Sequence, residues 1–429
     1  MRRLLLLSCL MLAACDGGSA PATVNKDFSM NPLSDINARL AFTCKHETIP
    51  APSADTDMLF KYARWLQVNN RLKEDKTVDG QIERLYRIAA ANGHYKANIN
   101  LQNGAMRGQF SLTGAEHLRM SQQLIDARVA TGYYFVAIFL KNGAAGLQQD
   151  TDMALRYYRK AADEGGAQAQ AYVAEKLFMA GTAYDVAAQM RRCAAEQGEG
   201  EAASDLGVNL QGKARYQEAL EAFQLGVAAG DGSSARFLAN GFSGPEPTDR
   251  LYYLGQQKDL ERARRYKQIG DILSRYSYRS PAVPEINDIV PLPPAPLPAW
   301  DGKLKWLEAY NANIEPPKPD EALIERLAKD RQLNPATGRP LPASPDFEKN
   351  AAIVLLCKTG EPCPKSGYWQ IARLPREGVS QNAILMFKKG DIMPADVVNI
   401  YRARPWPFSD KHEQQEQHVE WRLVACELR

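Results

Sequence analysis

Tyr157-Tyr158-Arg159-Lys160-Ala161-Ala162-Asp163-Glu164-Gly165 is the stretch whose reading decides the fold. It has the composition of a last helical turn and its stop, because glycine takes the left-handed cap conformation without a steric penalty. The pattern returns as Arg191-Arg192-Cys193-Ala194-Ala195-Glu196-Gln197-Gly198 and as Phe223-Gln224-Leu225-Gly226-Val227-Ala228-Ala229-Gly230. The closing glycines at 165, 198 and 230 are 33 and 32 residues apart, a period typical of stacked helical repeats. Looser copies end at Gly93 and Gly132, and their spacing of 39 implies a longer loop.

Each copy reads as two short helices. Ala171, Ala174 and Leu177 share a face after one glycine, and Ala187, Met190 and Ala194 share a face on the helix that follows. Small residues let such helices approach closely. One hairpin cannot bury its apolar side alone, whereas stacked copies can, so residues 56–275 are predicted to form an α-solenoid of about five or six units. Thr56 or Asp57 suits the cap of the first helix, whose Leu59, Ala63 and Leu66 share a face.

Leu140, Gly143, Gly146, Asp150, Ala154, Tyr157, Tyr158, Ala161, Ala162 and Gly165 resemble the Sel-one-like repeat, a relative of the tetratricopeptide repeats. The resemblance implies binding of proteins rather than catalysis.

The chain opens with Arg2 and Arg3, a short apolar run from Leu4 to Leu12, and Leu12-Ala13-Ala14-Cys15, which matches the bacterial lipobox. Residues 1–14 are therefore expected to be a cleaved signal peptide, with Cys15 lipidated and residues 15–55 a tether rich in small and polar residues. Several acyl chains, at about 0.8 kcal/mol per buried methylene, anchor a protein stably. This places the chain on a bacterial envelope membrane, facing the periplasm. Asp16 resembles the enterobacterial signal for the inner membrane, a rule that varies between bacteria, so either membrane fits. No apolar run in the body is long enough for a further crossing.

Pro281 to Pro298 holds seven prolines and is predicted to be an extended linker reaching roughly 55 Å. Residues 299–429 are expected to form a small α+β domain. Leu304, Leu307 and Tyr310 mark one helix; Leu323, Ile324, Leu327 and Ala328, after Pro319, mark a second. Strands are predicted at Ala351–Leu356, Tyr368–Arg373, Ile384–Phe387 and Val419–Ala425. The fold class is thus mainly α: a solenoid of helical hairpins followed by a small α+β C-terminal domain.

Two stretches carry a further resemblance. Asn334-Pro335-Ala336-Thr337-Gly338-Arg339-Pro340 is similar to a domain of unknown function often fused to Sel-one-like repeats. Cys363-Pro364-Lys365-Ser366-Gly367-Tyr368-Trp369, with Gly390-Asp391 and Pro394, resembles bacterial immunity-type domains. By their own chemistry the second set reads as a tight turn feeding a strand, with Trp369 in the core. Such lipoproteins are similar to those encoded beside type VI secretion effectors, including phospholipases.

Catalytic signals are absent. A net charge of +3 leaves no nucleic-acid footprint. Gly207 to Lys213 matches a phosphate-loop string, but Ala214 stands where a magnesium-binding hydroxyl belongs and no strand precedes it. No nucleophile elbow occurs, and the five histidines are scattered; His412 and His418 sit in a polar, solvated stretch. No catalytic residue, metal, cofactor or small-molecule substrate is expected. Of the cysteines left after Cys9 and Cys15, Cys193 reads as core. A disulfide is expected among Cys357, Cys363 and Cys426, while Cys44 also remains. The function implied is an envelope-anchored immunity protein that captures a toxic effector, with a non-catalytic scaffold as the alternative. The face that binds is not legible.

Overall fold

The computed structural model describes residues 40–181, 183–347, 355–372, 379–380, 384–402 and 411–426. The chain divides into two compact units, Met1–Ala41 and Phe42–Arg429, and the helices and strands named here all belong to the second. The signal segment, Cys15 and most of the tether lie outside the described residues.

Six helical hairpins follow one another: α1 (Ala54–Asn70) with α2 (Lys76–Ala91), α3 (Tyr95–Met106) with α4 (Gly114–Asp126), α5 (Thr131–Asn142) with α6 (Thr151–Asp163), α7 (Ala167–Met179) with α8 (Tyr184–Glu196), α9 (Gly200–Gly212) with α10 (Tyr216–Ala228), and α11 (Gly232–Phe242) with α12 (Leu260–Arg275). Each helix also packs on the one after it in the next hairpin, which makes the array a solenoid. Side-chain caps start many of them: Ser53, Asp75, Asp150, Asp231 and Asp259 each accept a first-turn N–H, and Thr113 with Glu116 forms a reciprocal capping box.

The stops of α2, α4, α6, α8 and α10 are one motif repeated five times. The N–H groups of His94, Val129, Gly166, Glu199 and Asp231 donate to Ala89, Leu124, Ala161, Ala194 and Gly226, five residues back. The residue before each donor is left-handed: Gly93, Arg128, Gly165, Gly198 and Gly230. Gly132 is therefore not a stop. It is the second residue of α5, and a Cβ there would lie 2.6 Å from the Ser121 carbonyl oxygen, so glycine serves a helix contact. The true stop is Arg128 at φ 61°. Because an L-residue with a side chain strains in this region, R128G should raise stability by about 1 kcal/mol, read from urea midpoints. An unchanged or lower midpoint would refute the shared motif.

Two histidines are locked into this array. His94 is the N-cap of α3, its Nδ1 accepting the Ala97 N–H, and His117 Nδ1 contacts the Gln102 side chain. Burial lowers the pKa of both, despite the Asp57 carboxylate beside His94. Unfolded, they bind protons near their ordinary 6.5; folded, they resist them. Their contribution is complete above that value and is lost as pH falls below it, by up to about 1.4 kcal/mol per pH unit per histidine. The melting temperature should drop between about pH 7.5 and 5.5, and H94N, which keeps a capping side chain, should flatten that drop. A pH-independent wild-type melt across that window contradicts this.

The proline-rich span is not a free strut. Val283, Ile286, Ile289 and Val290 stand between its prolines and are buried with Leu220, Phe223 and Tyr266. The Val283 N–H donates to the Ala228 carbonyl, and a short helix, α13 (Ile286–Ile289), forms inside the span. Apolar residues between prolines gain more from docking than from an extended, solvated form.

Beyond it, α14 (Lys305–Ala312) and α15 (Glu321–Asp330) form where helices were predicted, but they pack on the solenoid rather than on a sheet. Ile324, Leu327 and Ala328 of α15 are buried with Ile82 and Leu85 of α2, and Arg326 pairs with Asp55 at 2.7 Å. Asn313 accepts from Trp65 Nε1, and Arg279 donates to the Val68 carbonyl. The chain after the sixth hairpin thus returns to the first.

The C-terminal part is antiparallel sheet. Strands β1 (Leu356–Lys358), β2 (Gly367–Ile371), β3 (Val379–Ser380), β4 (Ile384–Phe387), β5 (Asp396–Arg402), β6 (Lys411–Gln417) and β7 (Glu420–Cys426) form two sheets, ordered β1-β7-β2-β4 and β3-β5-β6. Trp369 and Trp421 fill the core with Ile371 and Met393. Strands β3, β5 and β6 were not predicted. Lys-His-Glu-Gln-Gln-Glu-Gln has no apolar alternation, and only its antiparallel pairing with β5 makes it a strand. The 351–354 part of the first predicted strand lies outside the described residues. Among the described residues no helix is long and apolar enough to cross a membrane.

Candidate partner-binding cavity

The first helices of successive hairpins line a cavity of about 1070 Å³: α1 with its C-terminal half, α3 along its length, and α5 and α7 with their first turns. Helix α1 and the residue after it contribute Phe60, Arg64, Gln67, Val68 and Arg71; α3 and its cap contribute Lys96, Ile99, Asn100, Asn103 and Arg107. Spacings of three and four put each set on one face of its helix. Thr131 and Tyr134 of α5, Ala167 to Ala169 of α7, Gln197, Glu199 and Arg279 continue the wall. The face is mostly polar, with Phe60, Val68 and Ile99 set among its charged and amide side chains.

One wall is a fixed network. Gln67 accepts from Tyr86 Oη and Arg64 at 3.0 Å and donates to Gln109, and Gln109 donates to Asp79 at 2.9 Å. Asp79 also accepts from Asn70 and Lys76. Burial pushes the Tyr86 hydroxyl up to about 12, so it stays a donor.

A segment N-terminal to the helices straps the opposite wall. Cys44 is disulfide-bonded to Cys193 of α8. Gln170 donates to the Lys45 carbonyl at 2.9 Å, and the Glu47 N–H donates to Gln197 at 2.8 Å. The Glu47 carboxylate accepts the Thr131 N–H at 2.6 Å and its hydroxyl at 2.8 Å, capping α5, which has no cap of its own. An E47A change should therefore cost about 1 kcal/mol, seen as a lower urea midpoint; no change would show the cap to be idle.

The sequence candidates fall elsewhere. Cys357 and Cys363 are free thiols buried in the sheet core, and the Cys426 side chain lies outside the described residues. The expected C-terminal disulfide is thus replaced by Cys44–Cys193, a pair 149 residues apart, and Cys193 is a bridge as well as a core residue. His46 lies beside that pair, with Glu196 at 3.5 Å, but bridged sulfurs are not thiolate ligands. Gly207 to Gly212 lie within helix α9, so no phosphate loop forms. The Cys363–Trp369 stretch is the expected turn: Cys363 N–H donates to the Asp391 carbonyl, Gly390 N–H to Cys363, and buried Trp369 to Lys365. The His412 side chain lies outside the described residues, and His418 is exposed. The cavity itself was missed, although Arg64/Arg71 and Lys96/Arg107, seven and eleven residues apart, were a readable basic stripe.

No curated protein matches this sequence. Solved structures similar to this chain include immunity protein Pa5087 from Pseudomonas aeruginosa (23% identity over 60% of this chain and 96% of that one, TM-score 0.44). Immunity protein PA5088 from the same organism is similar at 23% identity over 59% and 95%, TM-score 0.45. A Sel1 repeat protein from Oxalobacter formigenes is similar at 18% over 51% and 87%, TM-score 0.38. Residues 234–341 match the family described as Domain of unknown function (DUF6396), a span that runs from the last hairpin through the docked proline-rich segment to α15 and includes 334–340, but stops before the sheet.

Proposed function

We propose that this chain is an envelope-anchored lipoprotein that binds and neutralises a type VI secretion effector of the phospholipase class in the periplasm. The observation that carries the reading is the inward face of the repeats: a cavity walled by successive helices, braced by a covalent strap and by the returning segment. Such a face is where helical-repeat proteins bind other proteins. Neutralisation by capture needs no catalytic group here; an interface of about 1,600 Å² that covers the effector's active site is enough. Lipidation at Cys15 would hold the protein at the membrane the effector attacks.

The test is genetic and biochemical. A strain that makes the effector encoded beside this gene should poison itself when the gene is deleted, and purified protein should abolish the effector's lipase activity at a one-to-one ratio. Equal survival of the deletion strain, with no inhibition in vitro, overturns immunity and leaves the scaffold reading.

A further inference from the structure

We infer that Arg64, Arg71 and Arg107 form a carboxylate-binding site in the cavity, at which an extended acidic segment of the captured protein docks. This rests on the protein-capture reading and names the chemistry of the captured surface.

The cavity lining holds six cations, Arg64, Arg71, Lys76, Lys96, Arg107 and Arg279, against four carboxylates. The carboxylates are largely committed. Glu47 is taken by Thr131, and Asp79 by Asn70, Gln109 and Lys76. Burial and the neighbouring Glu201 raise the pKa of Glu199 and so disfavour its charge. The arginines are not committed. Among the described residues neither Arg71 nor Arg107 forms an ion pair, and Arg64 spends one N–H on Gln67. Partial burial, and then the charges of Arg71 and Arg64, lower the pKa of Arg107.

A cation at a helix C-terminus commonly complements the backbone dipole, and Arg71 and Arg107 are the C-caps of α1 and α3. That accounts for each one alone. It does not account for three exposed guanidiniums gathered at one cavity where, of the four lining carboxylates, only Glu74 is uncommitted, an excess of positive charge that an arriving anion relieves. Guanidinium forks suit carboxylates. Beside them, Asn103 makes no side-chain hydrogen bond among the described residues, and Asn100 keeps its carbonyl oxygen free. Carboxamides pair with peptide backbone, and the partly buried Val68 and Ile99 offer apolar contact. A bare phosphate would use the arginines only.

The test uses the full chain and a fluorescein-labelled decapeptide of alternating Glu and Thr, followed by anisotropy. The peptide should bind, with affinity falling as salt rises, and its Gln counterpart should not. R71Q/R107Q should weaken binding about tenfold or more, R71K/R107K should retain most of it, and R156Q, on the exposed side of α6, should change nothing. Matching melting temperatures would exclude misfolding. Equal binding of the Gln peptide, or an unaffected R71Q/R107Q, overturns the site. Displacement by inorganic phosphate or phosphatidylglycerol vesicles more readily than by unlabelled peptide also overturns it. The neighbouring effector supplies a second arm. If wild type captures it and R71Q/R107Q captures it equally well, the arginine site fails and capture stands. If wild type does not capture it, capture fails and the peptide arm alone judges the site.

Discussion

The C44S/C193S double substitution should lower the free energy of unfolding by about 4 kcal/mol. The bridge closes a loop of 149 residues, and closing a long loop removes much of the freedom of the unfolded chain. What remains of the strap after its loss is a handful of hydrogen bonds, at Gln170, Gln197 and Thr131, each worth about 1 kcal/mol. Those are too few to hold a segment whose ordering costs about 1–2 kcal/mol per residue. The strap should therefore loosen as well as the fold weaken. Urea denaturation would give the first quantity, and hydrogen exchange at the Glu47 and Thr131 amides the second. A double mutant with an unshifted urea midpoint and full amide protection would show the bridge to be ornamental. In the same protein, Cys357 and Cys363 should react with an alkylating agent only after unfolding, because both lie in the sheet core.

G230A should cost about 3 kcal/mol or more, and G198A only about 1. Both glycines are left-handed helix stops, at φ 90° and 96°, so both changes incur the strain of an L-residue there. The difference is what a methyl group would meet. At Gly198 nothing lies within 4 Å, whereas at Gly230 the Pro281 carbonyl oxygen lies 1.9 Å from the new carbon. That oxygen belongs to the docked proline-rich segment, which the Val283–Ala228 hydrogen bond holds in place. Relief requires the segment to shift off α10, adding an overpacking cost of about 1–3 kcal/mol. Equal losses at the two sites, measured by urea midpoint, would mean the segment does not dock there.

The repeats were legible because one motif served five times. Apolar and alanine positions recurring at helical spacing, with a glycine at four of the same stops, predict hairpins that only stacking can bury. The reading slipped at Gly132 for a physical reason: Arg128 occupies a left-handed stop that glycine usually marks, so the next glycine along was mistaken for it. Strand β6 was illegible because a run of Glu and Gln carries no alternation to read. The basic stripe of the cavity was present in the chain but ambiguous, since evenly spaced arginines on a helix ordinarily face bulk water.

What the chain by itself determined was therefore local: which residues are helical, where helices stop, and that hairpins stack. These follow from periodicity and cap chemistry, which act over a few residues. Tertiary structure alone decided three long-range matters: that Cys44 meets Cys193, that the proline-rich segment folds back onto α10 while α15 returns to α2, and that Arg64, Arg71 and Arg107 share one cavity. Each depends on how far the solenoid curves, and curvature is the accumulated sum of small helix-crossing angles, which no single stretch of sequence encodes.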